Sequence, residues 1–107
     1  MSRIRSRGCP SGTTTASYVE AADVDLRKLD NFIAMISNTG SQSLQWKVLG
    51  YPNYDKNQYV EIFADSTVAA SAKSTEEQSP TPYERVKIYV KHPSAATTYV
   101  ISHNGVV

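Results

Sequence analysis

Nucleophilic chemistry needs a nucleophile, a base to activate it and a third group to hold the base. The chain offers one cysteine, Cys9, and two histidines, His92 and His103. Cys9 lies in "MSRIRSRGCPSGTTTAS", a stretch with no hydrophobic period and a poor platform for a preorganised thiol. The histidines fall at or near strand ends, and no spacing brings Cys9 to either. Zinc draws four ligands from Cys and His at short spacings, and this chain does not supply them. Asp23-x-Asp25 sets two carboxylates on one side of an extended chain, but calcium needs more oxygens and a tight loop. No two glycines after Gly12 lie close enough to cradle phosphates. A glycosidase carboxylate pair would need a pocket or a long substrate loop, and neither is legible. We therefore expect no enzyme: no catalytic residue, no metal ligand, no cofactor and no small-molecule substrate.

Two sets of residues are suited to binding. The first is the alternating stripe Tyr83, Arg85, Lys87, Tyr89 and Lys91 on one side of "YERVKIYVK". Cations interleaved with aromatics suit a single-stranded nucleic-acid platform. They equally suit an ordinary solvent face or a protein interface, where Tyr and Arg are the usual anchors. The second is Arg3, Ile4, Arg5 and Arg7 near the start. Alternating arginines on an extended segment present their charges together, to phosphates or to an acidic partner. Ile4 and the threonine run at 13–15 could also add a strand to a neighbour's sheet.

Composition narrows the choice. The 107 residues are enough for one domain, with 40% hydrophobic and 20% charged residues, in the globular range. Net charge is only +1, so the chain as a whole is not a polyelectrolyte binder and nucleic acid is not the expected partner. The charge is unevenly placed. Arg3, Arg5 and Arg7 precede any acid, and the remaining eight basic residues face ten acidic ones. A basic arm thus precedes a slightly acidic body. One cysteine excludes an intrachain disulfide and leaves an intermolecular one open. No apolar run approaches a membrane span, and the arginines interrupt any export signal. Tyrosine, with seven copies, suits surfaces that are part apolar and part wet.

The elements that must position these residues are strands. Residues 1–17 read as an extended arm, ordered against a partner, and 18–107 as one domain. Residues 18–30 are ambiguous, with a strand from about Val24 preferred to a short helix. In "NFIAMIS", Phe32, Ala34 and Ile36 share one face, while Ile33 and Met35 share the other. Both faces are apolar, which predicts a strand covered on both sides. Asn38 closes an Asx turn, with Gly40 taking positive φ. Leu44, Trp46 and Val48 then face inward. In "QYVEIFA", Val60, Ile62 and Ala64 form one face and Tyr59, Glu61 and Phe63 the other. Ser66 to Ala72 reads as a short strand, and "KSTEEQSPTP" as a polar loop. Its Ser74 and Glu77 have capping-box spacing for one helical turn. Val86, Ile88 and Val90 point inward from the stripe's strand, and "TTYVISH" closes the chain. Six to seven strands with regular turn signals predict an all-β, antiparallel, immunoglobulin-like β-sandwich.

"ISNTGSQSLQWKV" resembles the strand, Asn-Thr-Gly, strand signature of immunoglobulin-like bacterial and viral modules. With "VEIFADSTVAA", "YERVKIYVK" and "TTYVIS", residues 30–102 resemble small virion proteins of tailed phages and related viruses, decoration-type auxiliary proteins among them. The resemblance implies a non-enzymatic structural protein of a virus particle, assembled in the host cytoplasm. Its partners would be copies of itself and other virion proteins, with no membrane involved. The arm residues Arg3, Ile4, Arg5 and Arg7 would reach a neighbour, and the face from Tyr83 to Lys91 would form a second contact. A nucleic-acid-binding module and a cell-surface adhesion module are the alternatives.

Overall fold

The computed structural model describes residues 5–106. The strands are β1 (Arg5–Gly8), β2 (Ser11–Thr13), β3 (Val19–Asp25), β4 (Asn31–Asn38), β5 (Leu44–Tyr51), β6 (Val60–Val68), β7 (Lys73–Gln78), β8 (Arg85–Lys91) and β9 (Thr98–Val106). All pairings are antiparallel. The first sheet runs β1-β9-β4-β7, with β2 also on β9; the second runs β3-β8-β5-β6. We call them sheet A and sheet B.

The antiparallel sandwich is the one the alternation predicts, and its wiring is more specific. Pro10 has no N–H to give a ladder, so β1 and β2 read as one interrupted strand; the Pro10 carbonyl still accepts from the Ile101 N–H at 2.8 Å. Eight strand positions result. Only β5 and β6 are consecutive strands paired in one sheet; every other connection crosses between sheets. That order refines the immunoglobulin-like expectation to a jelly roll, the double Greek key.

The core lies where the apolar faces of the two sheets meet. Phe32, Ala34, Ile36, Tyr99 and Ile101 come from sheet A, and Val24, Trp46, Val48, Val86, Ile88 and Val90 from sheet B. Leu44 and Val68 close one end. Trp46 is fully buried and takes the edge of Phe63 at 4.9 Å.

Four local expectations are corrected. The strand placed from Val24 runs earlier, from Val19 to Asp25, and ends in a turn with Lys28 at φ 69°. The polar loop containing Ser74 and Glu77 is strand β7, paired along β4, because β4 needs a second ladder partner. The alternation in "QYVEIFA" breaks at a bulge opposite Trp46 to Leu49. Val60 is therefore exposed, while the consecutive Ile62 and Phe63 both pack against the core. Gly40 is not at positive φ. It is needed for space: a Cβ there would lie 2.8 Å from the Thr98 backbone nitrogen and closer still to the Thr97 hydroxyl.

The Asn38 Asx turn is present, with the Gly40 N–H donating to Asn38 Oδ1 at 3.1 Å. Thr97 Oγ1 donates to the same oxygen at 2.8 Å. Asn38 Nδ2 donates to the Gln42 and Val68 carbonyls at 2.7 and 3.0 Å. This buried amide thus ties the β4–β5 turn to the end of β6 and the start of β9. The Asn-Thr-Gly stretch is a structural node.

Candidate functional site

The arm's described residues lie on their own sheet. Arg5 to Gly8 pair with Val106 to His103, and Ser11 to Thr13 pair with Val100 to Thr98. Thr14 fastens them. It is buried, its N–H donates to the Thr97 carbonyl at 2.9 Å, and the Thr97 N–H returns to Thr14 Oγ1 at 3.0 Å. His92 Nδ1 lies 3.0 Å from the same hydroxyl. Arg3 and Ile4 lie outside the described residues. Arg5 stands at the register position of Val106.

The stripe lies on the outer face of sheet B, the opposite side of the sandwich from β1. Arm and stripe therefore do not form one surface. Tyr83 precedes β8, leans over Gly50 and packs against the core. Arg85 is paired with Asp23, its Nε donating to Oδ1 at 2.7 Å. That bond holds the Asp23 carboxyl below its usual range. Lys87 Nζ lies 3.4 Å from Glu20. Two of the stripe's cations are thus neutralised within the chain, which weakens it as a phosphate track. Lys91 and Lys47 both sit over the Tyr18 ring, at 4.7 and 4.5 Å. Tyr18 donates to Asp65, which holds a left-handed backbone at φ 42°. Burial and the Asp65 carboxylate raise the Tyr18 phenol above its ordinary range. The face is a carpet of aromatics and cations internally satisfied by acids.

The outer face of sheet A is unlike it. Register puts Arg7, Asn104, Ile33 and Glu77 in one rung across the four strands. Ser102, Met35 and Thr75 form the next, with Cys9 beside Ser102 at 3.7 Å. Val100 and Ser37 follow between Ser11 and Lys73. The middle of the face has no charge. On the apolar side of β4 that predicted a cover, Ile33 is 39% exposed and Met35 half-buried in the single chain. An apolar cleft of about 260 Å³ lies among Ile33, Met35, Thr75, Ser102, His103 and Asn104.

A second cleft of about 440 Å³ opens where the arm breaks, lined by Arg7, Gly8, Cys9, His103 and Asn104. Cys9 and His103 thus share a cleft, which sequence spacing did not foresee. The proximity does not make a nucleophile. Burial lowers the His103 pKa, its ring covers Gly8, and the nearest recorded polar partner of Cys9 is Ser102. Among the described residues no group of three metal-ligating side chains occurs. Sequence reasoning also missed Glu77 and Asn104, since a strand without an apolar residue such as β7 carries no face signal.

No protein-family model matches the chain, and no curated protein matches it. Solved structures share the fold. PirA superposes with a TM-score of 0.60 at 13% identity over 92% of this chain and 93% of that one. The SPBc2 prophage-derived protein YomS gives 0.59 at 10% identity, over 97% and 96%. A chain of the Triatoma virus empty capsid gives 0.56 at 8% identity, over 96% and 86%. At such identities the likeness is one of fold.

Proposed function

We propose that the chain is a non-enzymatic structural building block of a virus particle, acting by subunit association. The observation that carries this reading is the outer face of sheet A, a surface uncharged at its centre with an exposed isoleucine on a jelly roll. Exposed apolar patches of this kind mark association sites. The prophage-derived and capsid proteins of like fold support the viral context. Copies of itself and other particle proteins are the partners, and the particle is the place of action. Arg3, Ile4, Arg5 and Arg7 are contact residues from the arm's edge, and Arg85, Lys87, Tyr89 and Lys91 offer a second contact surface on the other side.

The test is solution mass by light scattering across concentration, alongside titration with a single-stranded oligonucleotide at two salt concentrations. A building block shows a defined oligomer and no strongly salt-dependent oligonucleotide binding. A monomer at every concentration that binds the oligonucleotide with a steep salt slope would replace this reading with a nucleic-acid module.

A further inference from the structure

We propose that the outer face of sheet A is an isologous interface between two copies of this chain, with the two-fold axis parallel to the strands between β9 and β4. The inference rests on the building-block reading and specifies its contact. Three observations point to a second copy as occupant. The apolar centre holds the exposed Ile33 and the half-buried Met35. Its margins carry opposite charges on one rung, Arg7 on β1 and Glu77 on β7. Neither Arg7 nor Glu77 forms an ion pair among the described residues.

The symmetry follows from this arrangement. A two-fold axis along the strands reverses the order of strands and preserves the rung. It lays β7 of one copy over β1 of the other, so that Arg7 meets Glu77 twice. The same operation lays Ile33 over Asn104 and Met35 over Ser102. A two-fold axis across the strands instead lays β1 over β1 and forfeits the charge match. Sheets packed face to face lie about 10 Å apart and turn by about 30°, which keeps the central rungs opposed. The area is small. Four strands about 4.8 Å apart and about 24 Å long offer roughly 500 Å² per copy. The pair buries roughly 1,000 Å², at the lower limit of specific interfaces. The dimer is therefore weak in isolation and suited to an assembly that engages several contacts at once.

The experiment measures dimerisation of the full chain by sedimentation equilibrium, with far-ultraviolet circular dichroism confirming the fold of each variant. Arg7→Glu and Glu77→Arg are each expected to weaken the dimer about tenfold, since each converts two attractive pairs into repulsive ones. The double swap restores it, and Ile33→Lys abolishes it. A defined oligomer that none of these substitutions alters overturns this interface and leaves the building-block reading standing. A monomer up to the solubility limit overturns this interface, and assembly on a foreign scaffold then remains as the building-block reading.

Discussion

Asn38 satisfies all four hydrogen-bonding sites of one buried amide, two as donor and two as acceptor. Asn38→Ala strands two carbonyls, an N–H and a hydroxyl, and is expected to cost about 2–4 kcal/mol. Urea denaturation should show a lower midpoint with an unchanged slope. Gly40→Ala, which presses a methyl on the Thr97 side chain and the Thr98 backbone, should cost about 1–3 kcal/mol by overpacking. In a chain lacking the Thr97 hydroxyl, Gly40→Ala should cost less, because chiefly the backbone contact remains. Glu76 gives a prediction in pH. Burial raises its folded pKa above the unfolded value. Below the unfolded value both states are protonated and no penalty applies; as pH rises through the folded pKa the carboxylate is held at a cost. Glu76→Gln should therefore unfold at higher urea at pH 7, with the gain vanishing once the pH falls below the ordinary glutamate range. Asn38 was legible as a turn former from its type and neighbours. Its bonds to Val68 and Thr97, distant in sequence, were not.

At the scale of elements, the stripe's strand was legible because apolar residues alternate along it, and β4 because its short run is apolar on both faces. β7 was not, since "KSTEEQ" has no apolar residue, and only the unpaired ladder of β4 makes it a strand. The arm read as a free segment because Gly8, Pro10 and Gly12 interrupt it. Its pairing partner β9 lies at the other end of the chain, beyond the reach of local pattern. Thr14 makes that pairing testable. Thr14→Val keeps the shape and removes the hydroxyl that bonds Thr97 and His92. We expect a loss of about 1–3 kcal/mol and faster amide exchange in β1 and β2. Unchanged exchange at residues 5–13 would mean that backbone pairing alone fastens the arm.

At the scale of the molecule, the jelly roll joins residues near opposite ends of the chain, as in Arg5 with Val106. Such non-local pairing must be closed before it stabilises anything. Folding is therefore expected on a scale of roughly milliseconds to seconds, followed by stopped-flow fluorescence of the buried Trp46. A microsecond phase carrying the full amplitude would contradict it. By itself the sequence determined that the chain is an antiparallel sandwich and which strands contribute Phe32, Trp46 and Ile88 to its core. These follow from side-chain alternation, which is local and has a period of two. Tertiary structure decided the jelly-roll order, the separation of Arg7 from the Lys87–Lys91 stripe onto opposite sides, and the rung that joins Arg7, Asn104, Ile33 and Glu77. Register between distant strands sets all three, and alternation within one strand carries no record of which strand lies beside it.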